Sequence, residues 1–247
     1  VPQINSSKYM VQAGWDDVPH IDDNTKRELL ENTPVHLRDA RSKGTPSLGA
    51  GAIYPIEQSE IIVDPFAIPA YFAKGYGMDV GWNRTAAAFG AWDRDNDVLY
   101  IYAEHYRGQA EPSIHADAIR ARGDWLIGAI DPASRGRAQK DGEQLLGIYR
   151  ELGLNLQLAN NAVEAGILEV WQRFSSGRLK IFRSCQNVLN EHRLYRRDEK
   201  GRIVKEFDHL MDAIRYLVLA MANIMRTKPV IARPENAFTA ADRLAGY

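Results

Sequence analysis

The stretch "KEFDHLMDAIRYLVLAM", residues 205–221, sets Asp208, His209 and Asp212 into the opening turns of an otherwise apolar segment. Two further acids stand in strand-like runs: Asp79 within "GMDVGW" and Asp131 at the end of the buried run in "WLIGAIDP". An ionised carboxylate at the end of a core strand is costly unless something compensates it, and a divalent cation is one such compensation. Carboxylates that leave room for bound water are the usual ligands of Mg²⁺ and Mn²⁺. A pair of such ions about 4 Å apart can activate an attacking water and stabilise a leaving oxygen in phosphodiester hydrolysis. Asp79, Asp131 and Asp212 are the candidate acids for such a site. His209 can ligate, orient a carboxylate or move a proton.

These acids can act together only if the elements carrying them converge. At about 100° per residue, Leu210, Ile214, Leu217, Met221 and Ile224 form one helical stripe, which Met211, Val218 and Met225 widen. Asp208, Asp212 and Arg215 fall on the opposite flank, so the helix is expected to be buried on one side and to carry its acids to the edge of a groove. Upstream, "GMDVGW", "TAAAFGAWD" and "DVLYIYAEHYRG" read as three strands, the last two separated by the turn residues "DRDND". Ser113 is a candidate cap for a helix through "IHADAIRARG", and the apolar run "WLIGAIDP" suits a strand buried on both faces. Then follow helical "DGEQLLGIYRELG", strand-like "LNLQLA", helical "AVEAGILEVWQRFSSG" and "LKIF", expected as an edge strand. The order describes an α/β protein with a mixed sheet, a three-strand meander followed by alternating helices and strands, with helices on both faces.

Residues 1–74 have a different texture. "IDDNTKRELLEN" suits a helix capped by Asp22 or Asp23, and "KGTPSLGAGAIYPI" is loop by composition. This segment is expected to be a linker wrapped onto a main domain at 75–226, with 227–247 a loosely attached tail. The chain opens "VPQINSSKYM", without Met, which suggests a piece of a longer protein.

With 31 basic and 32 acidic residues the 247-residue chain has no overall basic footprint, so contact with nucleic acid needs a local patch. One exists in "RLYRRDEKGRIVKEF", where Arg196, Arg197, Lys200, Arg202 and Lys205 surround a "DEKG" turn signal typical of a β-hairpin. The single cysteine, Cys185, suits a reducing compartment. No run approaches the roughly 18 apolar residues of a membrane span, so a soluble, cytoplasmic protein is expected.

Each signal alone has an ordinary explanation. Asp79 can cap a turn, Asp131 before Pro132 can open one, and Asp208 can cap the helix. Asp212 can pair with Arg215 or Tyr216 on a solvated face, where such a pair is worth little. His209 and the basic hairpin can simply face water.

In combination and in this order, "GMDVGW", "WLIGAIDP" and "KEFDHLMDAIRYLVLA", with the basic hairpin before the last, resemble the C-terminal nuclease domain of large terminase subunits from tailed double-stranded DNA bacteriophages. "RDARSKGTPSLGAGAIYPI" also resembles the segment joining the terminase ATPase to its nuclease. The resemblance implies an RNase H-like fold and a two-metal endonuclease, using Mg²⁺ or Mn²⁺, that cuts concatemeric viral DNA with little sequence preference. It implies that Asp79 bridges both ions, Asp131 adds a ligand from the next strand and Asp212 completes the set from the helix. His209 matches a histidine before the final acid in some members, and Asp208 is an auxiliary. The hairpin is implied to adjust access to the site, with Lys205 and Arg202 near double-stranded DNA. Portal and small-subunit partners, no membrane, and a location in the cytoplasm of an infected bacterium follow from the same resemblance. The ATPase motor lies elsewhere, since no G-x-x-x-x-G-K-[ST] loop occurs here.

Three other readings compete. A D-x-G strand followed by "NRT" also resembles the phosphate loop of the actin and sugar-kinase superfamily, but no second glycine-rich lobe follows residue 130. Resolvases and integrases share the three-acid logic. A DNA-binding or docking module with structural carboxylates is the non-enzymatic alternative.

Overall fold

The computed structural model describes residues 3–5, 8–9, 14–17, 21–31, 33, 42–43, 51–132, 141–198 and 200–229. The early elements are a two-stranded ribbon, β1 (Gln3–Asn5) and β2 (Lys8–Tyr9), and helix α1 (Asp23–Glu31). Asp22 caps α1: its carboxylate accepts from the backbone N–H of Asn24 and Thr25 at 2.9 and 3.0 Å. Most of the tail, 230–247, and positions 44–50 of the Gly/Pro-rich stretch lie outside the described residues.

The main element is a seven-stranded mixed sheet. A short helix α2 (Gln58–Ile61) leads into β3 (Ile62–Val63), and β4 (Ala73–Asp79), β5 (Thr85–Asp93) and β6 (Val98–Arg107) form the expected antiparallel meander. Helix α3 (Pro112–Arg120), β7 (Ile127–Ile130), α4 (Asp141–Glu151), β8 (Asn155–Leu158), α5 (Val163–Ser175), β9 (Leu179–Phe182), α6 (Gln186–Leu194) and α7 (His209–Ile224) complete the chain. In space the strands run β3-β9-β6-β5-β4-β7-β8, with β7 parallel to β4 and β9 parallel to β6. This is an α/β mixed sheet of RNase H-like type.

Helices cover both faces because the strands alternate. On β5, Ala86 and Ala88 join the core under α5 and α7, whereas Ala87 and Phe89 join the opposite core with Ile119 of α3 and Leu146 of α4.

Three local expectations are corrected. β9 is no edge strand: Ile62 and Val63 pair alongside Ile181 and Phe182, so the segment before residue 74 supplies the sheet's outer strand. Tyr54 and Ile61 of that segment are buried in the core beneath it. Helix α3 starts at Pro112 rather than behind a Ser113 cap, because a proline at the first helical position needs no N–H partner. The third concerns α7, which is not buried on one side only. Leu210 through Val218 are all buried, polar members included. Helix α5 covers the flank expected to face solvent, and Gly166 makes this possible, since a Cβ there would lie 2.6 Å from Cγ of Arg215.

The contact that sets α7 on the sheet is closer still. Gly77 lies under Ala213, and a Cβ at Gly77 would stand 1.8 Å from the Ala213 carbonyl oxygen. Backbone therefore meets backbone, and no rotamer change can relieve an added methyl. Gly77→Ala is expected to cost about 3 kcal/mol or more, the upper range for overpacking. Gly147→Ala, in α4 with no neighbour within 4 Å of its Cβ position, is expected to stabilise by about 0.5–1 kcal/mol. Urea unfolding of the two variants beside the parent checks both signs.

Candidate active site

The contact at Gly77 has an immediate consequence two residues later. β4 ends at Asp79 just where α7 begins, and His209, the first residue of α7, brings Nδ1 to 2.8 Å from Asp79 Oδ2. β7 lies parallel to β4 with Met78 opposite Ile130, so Asp131 emerges beside Asp79, its N–H donating to the Met78 carbonyl at 3.1 Å. Asp212 stands one helical turn beyond His209. Burial pushes the Asp79 carboxyl above its usual range; the His209 hydrogen bond opposes this, while the charges of Asp212 and Asp131 add to it. Asp79, Asp131, Asp212 and His209, drawn from two strand ends and one helix, thus share one electrostatic neighbourhood.

The buried acids of α7 are compensated individually. Arg215 is buried and donates to Asp212 Oδ1 from Nη2 at 3.0 Å and from Nε at 3.3 Å, while its aliphatic stem fills the space left by Gly166. The Tyr195 hydroxyl stands 3.5 Å from the same oxygen. On the solvent side Lys205 Nζ lies 3.3 Å from Asp212 Oδ2 and 3.0 Å from Asp208 Oδ2. Its partners Asp212 and Asp208 hold the Lys205 ammonium pKa above the usual value against the lowering effect of burial. The ion pair of Asp212 with Arg215 exists, but in the interior and not on a solvated face.

Glu191, on α6, is a site residue that sequence reasoning missed. It is fully buried, accepts from the Tyr106 hydroxyl at 2.6 Å, and takes the Leu210 N–H of the first turn of α7 at 2.5 Å. It therefore does from a distance what Asp208 was expected to do locally. Asp208 occupies the N-cap position but makes no side-chain capping bond, leaving its carboxylate to Lys205. A signal was present: Glu191 shares a helical stripe with Val188, His192 and Tyr195, all buried, and an acid on an apolar stripe needs a partner.

The hairpin forms as a short, irregular one. Arg197 bridges Ile203, and Gly201 takes the positive φ, 76°, that the turn requires. Its cations are in different situations. Arg197 pairs with Glu164 at 2.6 Å and Arg202 with Asp198 at 2.9 Å, whereas Lys200 projects from the turn and Arg196 is half-buried. The first hairpin limb is also tied to the upstream segment: Ile53 donates to Tyr195, and Arg197 to Gly51 at 2.8 Å.

The oxygen-rich donor set fits a hard divalent cation better than zinc or another soft metal. Among the described residues, no three His, Cys, Asp or Glu side chains stand close enough to form a finished ligand cage. Asp212 Oδ2, the oxygen not engaged by Arg215, already holds a cation in Lys205 Nζ, which marks where positive charge is favoured.

A mixed sheet with acids at the ends of two adjacent parallel strands and on the helix crossing them has the architecture of an RNase H-like domain. The chain belongs to the terminase RNaseH-like domain family, whose profile matches residues 76–221. It is 32% identical over 233 residues to the large terminase subunit of Salmonella phage P22, covering 90% of this chain and 46% of that protein. The large terminase subunit of Enterobacteria phage LP7 is 32% identical over 221 residues, 86% of this chain and again 46% of the relative. The chain thus spans about half the length of the curated relatives it matches. The structure of the P22 large terminase nuclease domain superposes with a TM-score of 0.68 at 31% identity, covering 72% of this chain and 96% of that domain. The large terminase of a thermophilic bacteriophage shares the fold, with a TM-score of 0.59 at 21% identity over 83% of this chain and 54% of that one. Among the described residues no helix is long and apolar enough to cross a membrane.

The hydrogen bond to Asp79 raises the His209 pKa above that of a free imidazole. In metal-free protein the His209 ring is expected to titrate above about 6.5, and Asp79→Asn is expected to lower that midpoint. A folded value above the unfolded one stabilises fully below the unfolded pKa, and this contribution is lost as pH rises through the folded value. NMR titration of His209 in parent and variant reads the shift directly.

Proposed function

We propose that this chain is the nuclease part of a large terminase subunit, a metal-dependent endonuclease that cuts concatemeric viral double-stranded DNA during genome packaging. The observation that carries the reading is the meeting of Asp79, Asp131 and Asp212 at one end of the sheet, with His209 bonded to Asp79. Membership of the terminase RNaseH-like family and the likeness to the P22 nuclease domain support it.

Asp79, Asp131 and Asp212 would hold divalent ions, two on this reading, Mg²⁺ or Mn²⁺; Asp79 ends β4, the strand that β7 and α7 both adjoin. Such ions would supply an activated water and neutralise charge on the phosphate. The remaining work falls to the chain itself. His209 fixes the orientation of Asp79 through Nδ1, leaving its other ring nitrogen to carry a proton. Arg215 and Tyr195 hold Asp212 from behind, so that Oδ2 faces the substrate side. Arg196, Arg197, Lys200, Arg202 and Lys205 meet the phosphate backbone, which carries no base information, and this accords with little sequence preference. In the whole protein we place the ATPase motor, the portal and the small subunit as partners, in the cytoplasm of the infected bacterium.

Cleavage of supercoiled plasmid by the purified chain tests the reading. Nicking and linearisation are expected in Mg²⁺ or Mn²⁺ and not in EDTA. Asp79→Asn and Asp131→Asn are each expected to reduce cleavage at least about 100-fold with an unchanged circular dichroism spectrum. Full activity in either folded variant overturns the assignment. For the hairpin, replacing Arg196 and Lys200 by Gln is expected to weaken duplex binding and to lower the slope of log affinity against log salt by about two. Arg197→Gln and Arg202→Gln should change that slope less, because Glu164 and Asp198 already share their charge. Fluorescence anisotropy across a salt series measures both effects.

A further inference from the structure

Lys205 reaches from an exposed loop into a buried acid pair. Its side chain is 68% exposed, whereas those of Asp208 and Asp212 are 6% and 9% exposed, and its Nζ stands 3.0 and 3.3 Å from their Oδ2 atoms. The other oxygen of Asp212 belongs to Arg215, which is buried in the interior beside Gly166. Oδ2 is therefore the oxygen of Asp212 turned toward the solvent side, and Lys205 holds it.

A lysine ammonium is a compact, strongly hydrated charge on a flexible stem, unlike the rigid fork of arginine. Arg215 is a fixture; Lys205 can leave by rotation of its own side chain. A divalent ion at Asp212 Oδ2 would meet the ammonium at close range, a repulsion that only withdrawal of Lys205 relieves. Lys205 also continues the basic limb that contains Arg202, so a phosphate drawn to that limb offers the ammonium a replacement partner.

We propose that Lys205 is a built-in monovalent cation that fills the Asp208–Asp212 end of the site, and that a DNA phosphate draws it away. DNA binding and divalent-ion binding then strengthen each other, and the site takes up its ion fully only when substrate is present. This inference rests on the nuclease reading above. Coupling of this kind is reciprocal, so DNA raises ion affinity by the factor by which the ion raises DNA affinity.

The test is Mn²⁺ affinity, read from the electron paramagnetic resonance signal of free Mn²⁺. It is measured without DNA and with a short duplex, after correction for ion held by the duplex alone. Without DNA, Lys205→Met is expected to bind Mn²⁺ about tenfold more tightly than the parent, within the usual range of coupling factors. The duplex should tighten Mn²⁺ binding to the parent by a similar factor and tighten it little in Lys205→Met. Lys205→Arg, which keeps the charge, should bind Mn²⁺ as weakly as the parent without DNA. Equal Mn²⁺ affinity in parent and Lys205→Met, or undiminished tightening by DNA in Lys205→Met, overturns the inference. Asp79→Asn separates the two levels. If the parent binds no Mn²⁺ even with the duplex, or Asp79→Asn binds it as well as the parent, the nuclease reading fails and this inference with it. If Asp79→Asn alone loses the ion and Lys205→Met is unchanged, only the role of Lys205 falls.

Discussion

Gly77 and Ala213 meet backbone to backbone, and the rest of the site follows from that contact. Because β4 carries no side chain at Gly77, α7 lies directly on that strand, inside the sheet. The first turn of the helix consequently arrives at the end of β4, where His209 bonds Asp79. A side chain at this position would lift the helix by more than a hydrogen bond can stretch. Gly166 plays the same part on the other flank, where α5 closes over Arg215. The helix is thus held between a strand and a helix that each give up a side chain to receive it.

That placement creates an electrostatic problem which the structure solves with local partners. Asp79, Asp208, Glu191 and Asp212 all lie on or against the start of α7. Isolated buried carboxylates would be strongly disfavoured. Each has its own answer: His209 for Asp79, Lys205 for Asp208, Tyr106 and the Leu210 N–H for Glu191, Arg215 for Asp212. The answers differ in kind. Glu191 and Arg215 are packed inside and serve the architecture, whereas His209 and Lys205 reach the site from its open side. Chemistry can recruit the second pair without dismantling the first.

The meander, the buried strand β7, the helix of "DHLMDAIRY" and the approach of its acids to two strand ends were legible in the sequence. Strand alternation, turn residues and the placement of Asp79 within a strand-like run and of Asp131 after an apolar one are local signals. What was not legible depended on distant parts of the chain. The second cover of α7 by α5 cannot be read from α7, whose polar flank looks like any solvated face. It is announced only by a glycine, Gly166, far along the chain from the arginine it accommodates. Likewise β9 looks like an edge strand by its length, since the two residues that pair outside it come from before the sheet's first long strand. The capping of α7 by Glu191 was hidden for the same reason: Asp208 satisfied the local pattern, and a remote carboxylate took the work.

The burial of α7 on both sides also divides the site by stiffness. Amides in a helix covered from both faces exchange with solvent only through large openings, whereas exposed loops open at little cost in free energy. Asp212 and Arg215 belong to the first class; Lys205 and the hairpin belong to the second. Asp212 therefore sits in a stiff part of the chain and Lys205 in a soft one, so the precision of the site and its access to solvent rest on different parts of the chain.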